Sequence, residues 1–329
     1  MPDALPRALP PRAQTKIVFA HAAYTFDDAF QRKIAGASFV PVRTPADLER
    51  EAADAHVIVV SGLWRNELLD QAKRLVLVQS ISAGTDQYDK ARFRAAGVRL
   101  ASAQGVNARA VAEHALALTL ALTRLIHTGR DNQAKRHWRP MIGDPARREE
   151  VLGGKTMLIV GLGGIGQRLA RLAKAFDMTV LATRRDPARG GDAVDEVHPD
   201  SALADLLPRA DVVVLTCPLT PQTEKLIDGP ALARMKPTAY LVNVARGRVV
   251  DEAALIAALE GKRIAGAGLD VTAAEPLAET SPLWAMPNVL ITPHSAGETR
   301  LYEADVVDIL LDNLGRLERG ETTLRNEIV

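Results

Sequence analysis

TMLIVGLGGIGQRLARLAKAF, residues 156–176, is the stretch that decides the fold. An apolar run over 157–160 ends at Gly161-Leu-Gly163-Gly164-Ile-Gly166, and apolar residues at helical spacing follow at once: Ile165, Leu169, Leu172, Ala173 and Phe176. Strand, glycine turn and helix in this order form the arrangement that holds the pyrophosphate of a dinucleotide. Gly161 allows the tight turn, Gly163 lets the backbone approach the phosphates without a Cβ in the way, and Gly166 lets the helix pack close to the strand. Gly164 and Ile165 complete the turn. The helix N-terminus then offers unpaired N–H groups and a partial positive charge to the anion.

Outward from this turn, the chain alternates strands and helices on both sides. Before it, strands are expected at 16–20, 39–42, 57–60, 75–81 and 98–101, with helices at 26–35, 46–55, 66–74 and 90–96. After it, six strands are expected at 157–160, 179–181, 212–215, 239–242, 264–269 and 289–291, with helices at 165–176, 202–207, 231–235 and 252–260. Such alternation implies parallel sheets covered on both faces, so the fold class is α/β with two Rossmann-like domains. Two further helices fit neither unit. Residues 107–126 are apolar almost all round, which places that helix between domains and at a subunit contact. Residues 298–317 cross back to the first sheet and make the first domain discontinuous. The expected division is 1–104 with 299–329 for one domain and 105–298 for the dinucleotide-binding one.

Bulk composition bounds the function. The 329 residues suffice for two domains, with 47% hydrophobic and 25% charged residues. With 41 basic and 40 acidic side chains, the net charge is +1. Nothing suggests a nucleic acid or an anionic membrane as partner. The single cysteine, Cys217, excludes an intrachain disulfide and suits a cytoplasmic location. The first 15 residues hold four prolines and no apolar core of a secretory signal, and read as a loose tail. The most apolar helical run, 115–126, is too short to span a bilayer. Residues 136–150 are rich in charge and proline and read as a solvated connector. No metal site is expected.

Ligands of open α/β sheets bind beyond the carboxyl ends of the strands. In the second domain those ends carry, in order, the glycine turn, then Thr183, Arg184 and Arg185, then Cys217 and Pro218, then Asn243 and Arg246, then Asp270 and Glu275, and last His294. In the first domain they carry Trp64, Ser82-Ala83-Gly84 and Asn107. Two such edges face to face make a cleft. Taken singly, His294 reads as a strand end, Asp270 as a turn residue and Cys217 as a small buried filler. Their joint placement on one edge argues for chemistry instead.

The segments VAEHALAL, GKTMLIVGLGGIGQ, CPLTPQT, NVARGRVVDE, GAGLDVTAAEPL and PNVLITPHSAG, in this order, resemble the D-isomer-specific 2-hydroxyacid dehydrogenases over essentially residues 17–317. The resemblance implies a discontinuous, flavodoxin-like substrate domain, an inserted Rossmann domain, a homodimer, and reversible hydride transfer between NAD(P)H and a 2-oxo acid. It assigns catalysis to Arg246, Glu275 and His294. It assigns Asp270 to the nicotinamide carboxamide, Val244 and Ala245 to the backbone beside the nicotinamide, and Thr223 and Gly297 to the cofactor edge. Ala83 and Gly84 would receive the substrate carboxylate through their N–H groups. A guanidinium can hold a carboxylate and the adjacent ketone in one fork, and a histidine raised in pKa by a carboxylate can protonate the developing alkoxide.

One departure bears on the cofactor. NAD-preferring Rossmann domains usually carry Asp or Glu at the end of the second strand, on the ribose 2′-hydroxyl. Here that place is held by Arg184 with Arg185 beside it, which attract a 2′-phosphate. NADP(H) is therefore the expected cofactor, with NAD(H) possible if Asp186 takes the ribose instead. The expected substrate is a small 2-oxo acid such as glyoxylate or hydroxypyruvate. A bulkier one such as phenylpyruvate is the alternative, and Trp64, also in the first domain, is the expected pocket wall. Trp138 and Trp284 are further candidates for pocket walls, with dimer or core contacts as the alternative. Phosphoglycerate dehydrogenases often carry an added C-terminal domain, and the end of this chain soon after 298–317 leans against that reading. Gln in place of Glu275 would point to formate dehydrogenases. A non-catalytic, corepressor-like nucleotide-sensing module is the reading from another class, disfavoured by the intact Arg246, Glu275 and His294.

Overall fold

The computed structural model describes residues 7–33 and 38–329, which form two compact units. One comprises the residues up to Asn107 together with Thr299–Val329; the other is Ala108–Glu298. The end of the helix expected at 26–35 and the start of the proline-rich tail lie outside the described residues.

The first unit holds strands β1 (Ile17–Ala20), β2 (Phe39–Val42), β3 (Val57–Val60), β4 (Leu77–Ser80) and β5 (Arg99–Ala101). They form one parallel sheet in the order β2-β1-β3-β4-β5, the flavodoxin-like winding. Register is in step across the sheet: Ile17 pairs with Phe39 and Val57, and Val57 pairs with Leu77. Alternate residues feed two cores. Val18, Ile58, Val78 and Leu100 face one layer, and Ile17, Val57, Val59 and Leu77 face the other. Burial on both faces explains why these strands read as unbroken apolar runs. The helix Tyr302–Glu318 closes the second layer with Val306, Val307, Leu310 and Leu314, so the unit is discontinuous in sequence.

The second unit holds seven strands: β6 (Thr156–Val160), β7 (Thr179–Thr183), β8 (Glu196–His198), β9 (Val212–Leu215), β10 (Tyr240–Asn243), β11 (Gly266–Leu269) and β12 (Val289–Ile291). All are parallel, in the order β12-β11-β10-β9-β6-β7-β8. This is the doubly wound dinucleotide topology with one added edge strand. Six strands were expected. The one not expected is β8, three residues long, whose Glu196 and His198 hide the apolar signal; the strand added to the six-strand dinucleotide order is β12.

The helix expected at 107–126 runs over Ala108–Thr123. Val111, Ala112, Ala115, Leu118 and Leu122 pack with Met157, Ile159, Leu169, Ala170 and Val242, so it covers one face of the second sheet. Glu113 and Ala117 remain exposed, so the helix is not buried all round. Leu125, in the left-handed conformation, ends this run, and a second helix, Ile126–Ala134, follows where none was expected. The helix expected at 66–74 shrinks to one turn, Leu68–Gln71. Among the described residues, no helix is long and apolar enough to cross a membrane.

Leu118 is 3% exposed, and its Cβ lies so close to β11 that a Cβ on Gly268 would approach it to 3.1 Å. Leu118→Ala should therefore cost about 2–5 kcal/mol of stability. Urea unfolding of wild type and variant checks this, and an unchanged midpoint would contradict the placement of the helix on the sheet.

Candidate active site

The glycine turn is built on close approach. Gly161, at φ 102°, sits where a Cβ would come within 2.7 Å of the backbone of Cys217, at the end of the neighbouring β9. A Cβ on Gly166 would lie 2.6 Å from the Gly161 carbonyl oxygen, whereas one on Gly163 would meet nothing within 4 Å. The helix Gly164–Ala175 begins behind Gly163, and no side chain caps it. Its first N–H groups are therefore available to an anion. At the end of β7, the Thr183 hydroxyl is buried with no partner among the described residues. An open glycine cradle, an uncapped helix start and an orphaned hydroxyl fit a dinucleotide.

Beyond β7, Arg184 donates one of its five N–H groups to the Gly190 carbonyl at 2.5 Å, and Arg185 is exposed. Asp186 accepts the Ala188 N–H at 3.2 Å, capping the short turn Pro187–Arg189. Beyond β9, Cys217 is buried, and burial pushes its thiol pKa up to about 12, so it is neutral. Thr223 accepts the Thr220 N–H and donates to the Pro218 carbonyl at 2.6 Å; its hydroxyl shapes that turn.

Beyond β10, buried Asn243 accepts the Ala245 N–H and donates to the Arg246 carbonyl, both at 3.0 Å. These two bonds fold residues 243–246 into a fixed turn and present Arg246, whose Nη1 donates to the Ala245 carbonyl at 2.8 Å. Val244 and Ala245 are each 7% exposed. The next residue must be glycine, because a Cβ on Gly247 would lie 1.9 Å from the Thr272 carbonyl. This contact sets the arginine turn against the loop that carries Glu275.

Glu275 accepts the Thr272 N–H on Oε1 at 3.2 Å, and its Oε2 meets His294 Nδ1 at 2.7 Å. The hydrogen bond to Glu275 raises the His294 pKa, burial opposes it, and the Glu275 charge adds to the rise. Burial pushes the Glu275 carboxyl up, but the His294 hydrogen bond and charge, the Thr272 N–H and Arg246 outweigh it and leave it below its ordinary value. His294 has φ 54°. That left-handed backbone costs a residue with a Cβ about 1–2 kcal/mol. Its N–H answers by donating to the Asp270 carbonyl at 2.8 Å and the Thr292 carbonyl at 3.0 Å.

Asp270, 2% exposed, organises this turn. Its Oδ1 accepts the Thr292 hydroxyl at 2.6 Å, the Ser295 N–H at 2.9 Å and the Ala296 N–H at 3.2 Å, and the Ala296 N–H also reaches Oδ2 at 3.1 Å. Gly297 follows directly. Arg246, Glu275, His294 and Asp270 thus lie at consecutive strand ends, on the edge that carries the glycine turn. Gly247, Thr292 and, beside Thr292, His114 also shape this edge, yet none differs in type from an ordinary turn or helix residue and none stands out in the sequence.

In the first unit, Ala83 and Gly84 follow β4, and neither N–H donates to another group among the described residues. The Ser61 and Ser82 hydroxyls lie 2.7 Å apart at the same edge. Trp64 is not a pocket wall. It is 3% exposed, packs on Tyr88 and Phe93, and donates Nε1–H to Asn66 at 3.0 Å. Its place right after a strand suggested a ligand contact, but a turn there folds the indole back into the core. Trp284 is 56% exposed and donates to the Ala278 carbonyl.

A doubly wound sheet with this turn, and an arginine and a carboxylate–histidine pair along its edge, defines a dinucleotide-dependent oxidoreductase. The family model for the NAD binding domain of D-isomer specific 2-hydroxyacid dehydrogenase matches residues 116–296. The chain is 37% identical over 289 residues to glyoxylate reductase of Pyrococcus furiosus, covering 84% of this chain and 83% of that protein. It is 38% identical over 253 residues to D-3-phosphoglycerate dehydrogenase of Mycobacterium tuberculosis, covering 75% of this chain but 46% of that one. The crystal structure of an NADPH-dependent glyoxylate/hydroxypyruvate reductase from Sinorhizobium meliloti, in complex with NADP and malonate, superposes with a TM-score of 0.81 at 27% identity, covering 96% and 97% of the two chains. The chain belongs to the D-isomer-specific 2-hydroxyacid dehydrogenases, which are NAD(P)-dependent oxidoreductases.

The directions of the two pKa shifts predict a titration. His294 should titrate above 6.5 in the wild type, and Glu275→Gln should lower that value by removing the negative partner. Following the His294 ring signals by NMR against pH checks it; an unchanged pKa would contradict the pairing.

Proposed function

We propose that this protein reduces a small 2-oxo acid of the glyoxylate or hydroxypyruvate kind to its D-2-hydroxy acid, with NADPH as the preferred reductant. The observation that carries the reading is the 2.7 Å Glu275–His294 pair on the same strand-end edge as Arg246 and the glycine turn. The reductases it is similar to act on such acids by name.

When bound, the reduced nicotinamide supplies the hydride. The chain's own residues do the rest. Arg246 places its guanidinium on the substrate's carboxylate and ketone oxygen and stabilises the charge that builds on that oxygen. His294 gives its Nδ1–H to Glu275, so Nε2 is the nitrogen that donates a proton to the substrate oxygen. Asp270 receives the carboxamide. In the first unit, the N–H groups of Ala83 and Gly84 suit a carboxylate. The His294 side chain is 47% exposed, so solvent can restore its proton after each turnover.

Reduction needs protonated His294, so its kcat holds at low pH and falls as pH rises through the raised pKa; oxidation runs the opposite way. NADPH preference rests on Arg184 and Arg185 beyond β7. The carboxylate at that edge, Asp186, caps the short turn Pro187–Arg189 through Oδ1. The homodimer reading rests on the segment 136–150, where Trp138 and Met141 are 96% and 97% exposed. Solvent contact on that scale suits side chains that a second copy covers.

His294→Ala and Arg246→Ala should each lower kcat about 10²–10⁴-fold while leaving the NADPH Kd essentially unchanged. Near-native kcat in either would overturn the assignment. Arg185→Ala should cut kcat/KM for NADPH about tenfold, the worth of one charge-assisted hydrogen bond, and spare NADH. A wild-type preference for NADH would contradict the cofactor reading. In light scattering, the wild type should run as a dimer and Trp138→Ala/Met141→Ala should shift it toward monomer. A monomeric wild type would contradict the assembly.

A further inference from the structure

Asp270 is approached from behind by a residue that the mechanism does not use. His114, on the helix Ala108–Thr123, sets its Nε2 2.9 Å from the Thr292 hydroxyl oxygen and 3.6 Å from Asp270 Oδ1. The Thr292 hydroxyl has one proton, and it is given to Asp270 Oδ1 at 2.6 Å. That oxygen can therefore only accept from the imidazole, so Nε2 of His114 must carry a hydrogen. The direct His114–Asp270 distance is too long for a hydrogen bond, and the coupling runs through the hydroxyl.

The result is an asymmetric carboxylate. Oδ1 accepts from Thr292 and Ser295, and the Ala296 N–H is shared between the two oxygens, at 3.2 Å from Oδ1 and 3.1 Å from Oδ2, so Oδ2 has no donor of its own. Oδ2 is the oxygen left to receive another donor. The Thr292 hydroxyl can rotate. Without a donor behind it, it can turn its proton elsewhere, and Asp270 then loses its shortest bond.

We propose that His114 is a positioning residue. Through Thr292 it locks the rotamer of Asp270, so that Oδ2 faces the carboxamide N–H of the nicotinamide. The inference rests on the assignment of Asp270 to that carboxamide. It extends the cofactor site to a helix that lies outside the strand-end edge and covers the other side of the sheet from the helices of the β9–β11 crossovers.

The test compares the natural cofactor with its 3-acetylpyridine analogue, which keeps the carbonyl but has no amide N–H to give. His114→Ala should lower kcat/KM about tenfold with the natural cofactor, the scale of one well-placed hydrogen bond, and much less with the analogue. His114→Gln, which restores an N–H donor, should recover most of the loss. Equal losses with both cofactors, or no loss with either, would overturn the inference, since a residue that merely supports the fold cannot tell an amide from a methyl ketone. Thermal unfolding of both variants separates misfolding from mispositioning, and His114→Gln carries the test if His114→Ala does not fold. Asp270→Asn separates the two readings. If it fails to discriminate between the cofactors, the carboxamide assignment falls. If it discriminates and His114→Ala does not, only the role of His114 falls.

Discussion

The buried carboxylate of Asp270 is the constraint on which the catalytic edge depends. An aspartate at 2% exposure is expensive unless its oxygens are satisfied, and here one hydroxyl and two main-chain N–H groups satisfy them. Those donors belong to the turn after β12, so stabilising the charge and shaping the turn are one event. The Asp270 carbonyl also accepts the His294 N–H, which holds the histidine in a backbone conformation that a residue with a Cβ ordinarily avoids. The imidazole is thereby delivered to Glu275. Removing the carboxylate would free Thr292, Ser295 and Ala296 together.

The rest of the edge is assembled by close backbone contact. β6 and β9 are neighbours in the sheet, and Gly161 lies against the Cys217 backbone where they end. β10 and β11 are neighbours too, and Gly247 lies against Thr272 where they end. Each pair brings one functional turn against the next with no side chain between them. Arg246 and Glu275 therefore owe their placement to a glycine whose replacement by alanine would force two loops apart. The electrostatics follow from that packing, since Arg246 bears on both Glu275 and His294.

Much of this was legible in the sequence. The strand–glycine–helix run at 156–176 is local chemistry, and the rule that ligands gather at strand carboxyl ends placed Arg246, Asp270, Glu275 and His294 in one row before any coordinates. What escaped depends on contacts distant in sequence. Trp64 follows a strand, the position of a ligand residue, but its turn returns it to Tyr88 and Phe93. The helix Ala108–Thr123 reads from sequence as lying between domains because apolar content alone does not name its partner surface, Met157, Ile159 and Leu169. β8 has three residues and two polar side chains, too little for any periodicity. His114 and Thr292 are 178 residues apart, and their hydrogen bond leaves no trace in spacing.

In the proposed reaction Arg246 and the Glu275–His294 pair act on the carbonyl of a 2-oxo acid. A crystal structure with NADP(H) and an unreactive 2-oxo acid mimic such as oxamate tests it most directly. The expected complex has the Arg246 guanidinium forked on the carboxylate and the carbonyl oxygen, with His294 Nε2 within hydrogen-bonding distance of that same oxygen. A mimic bound away from Arg246, or a His294 Nε2 turned from the carbonyl, would contradict it.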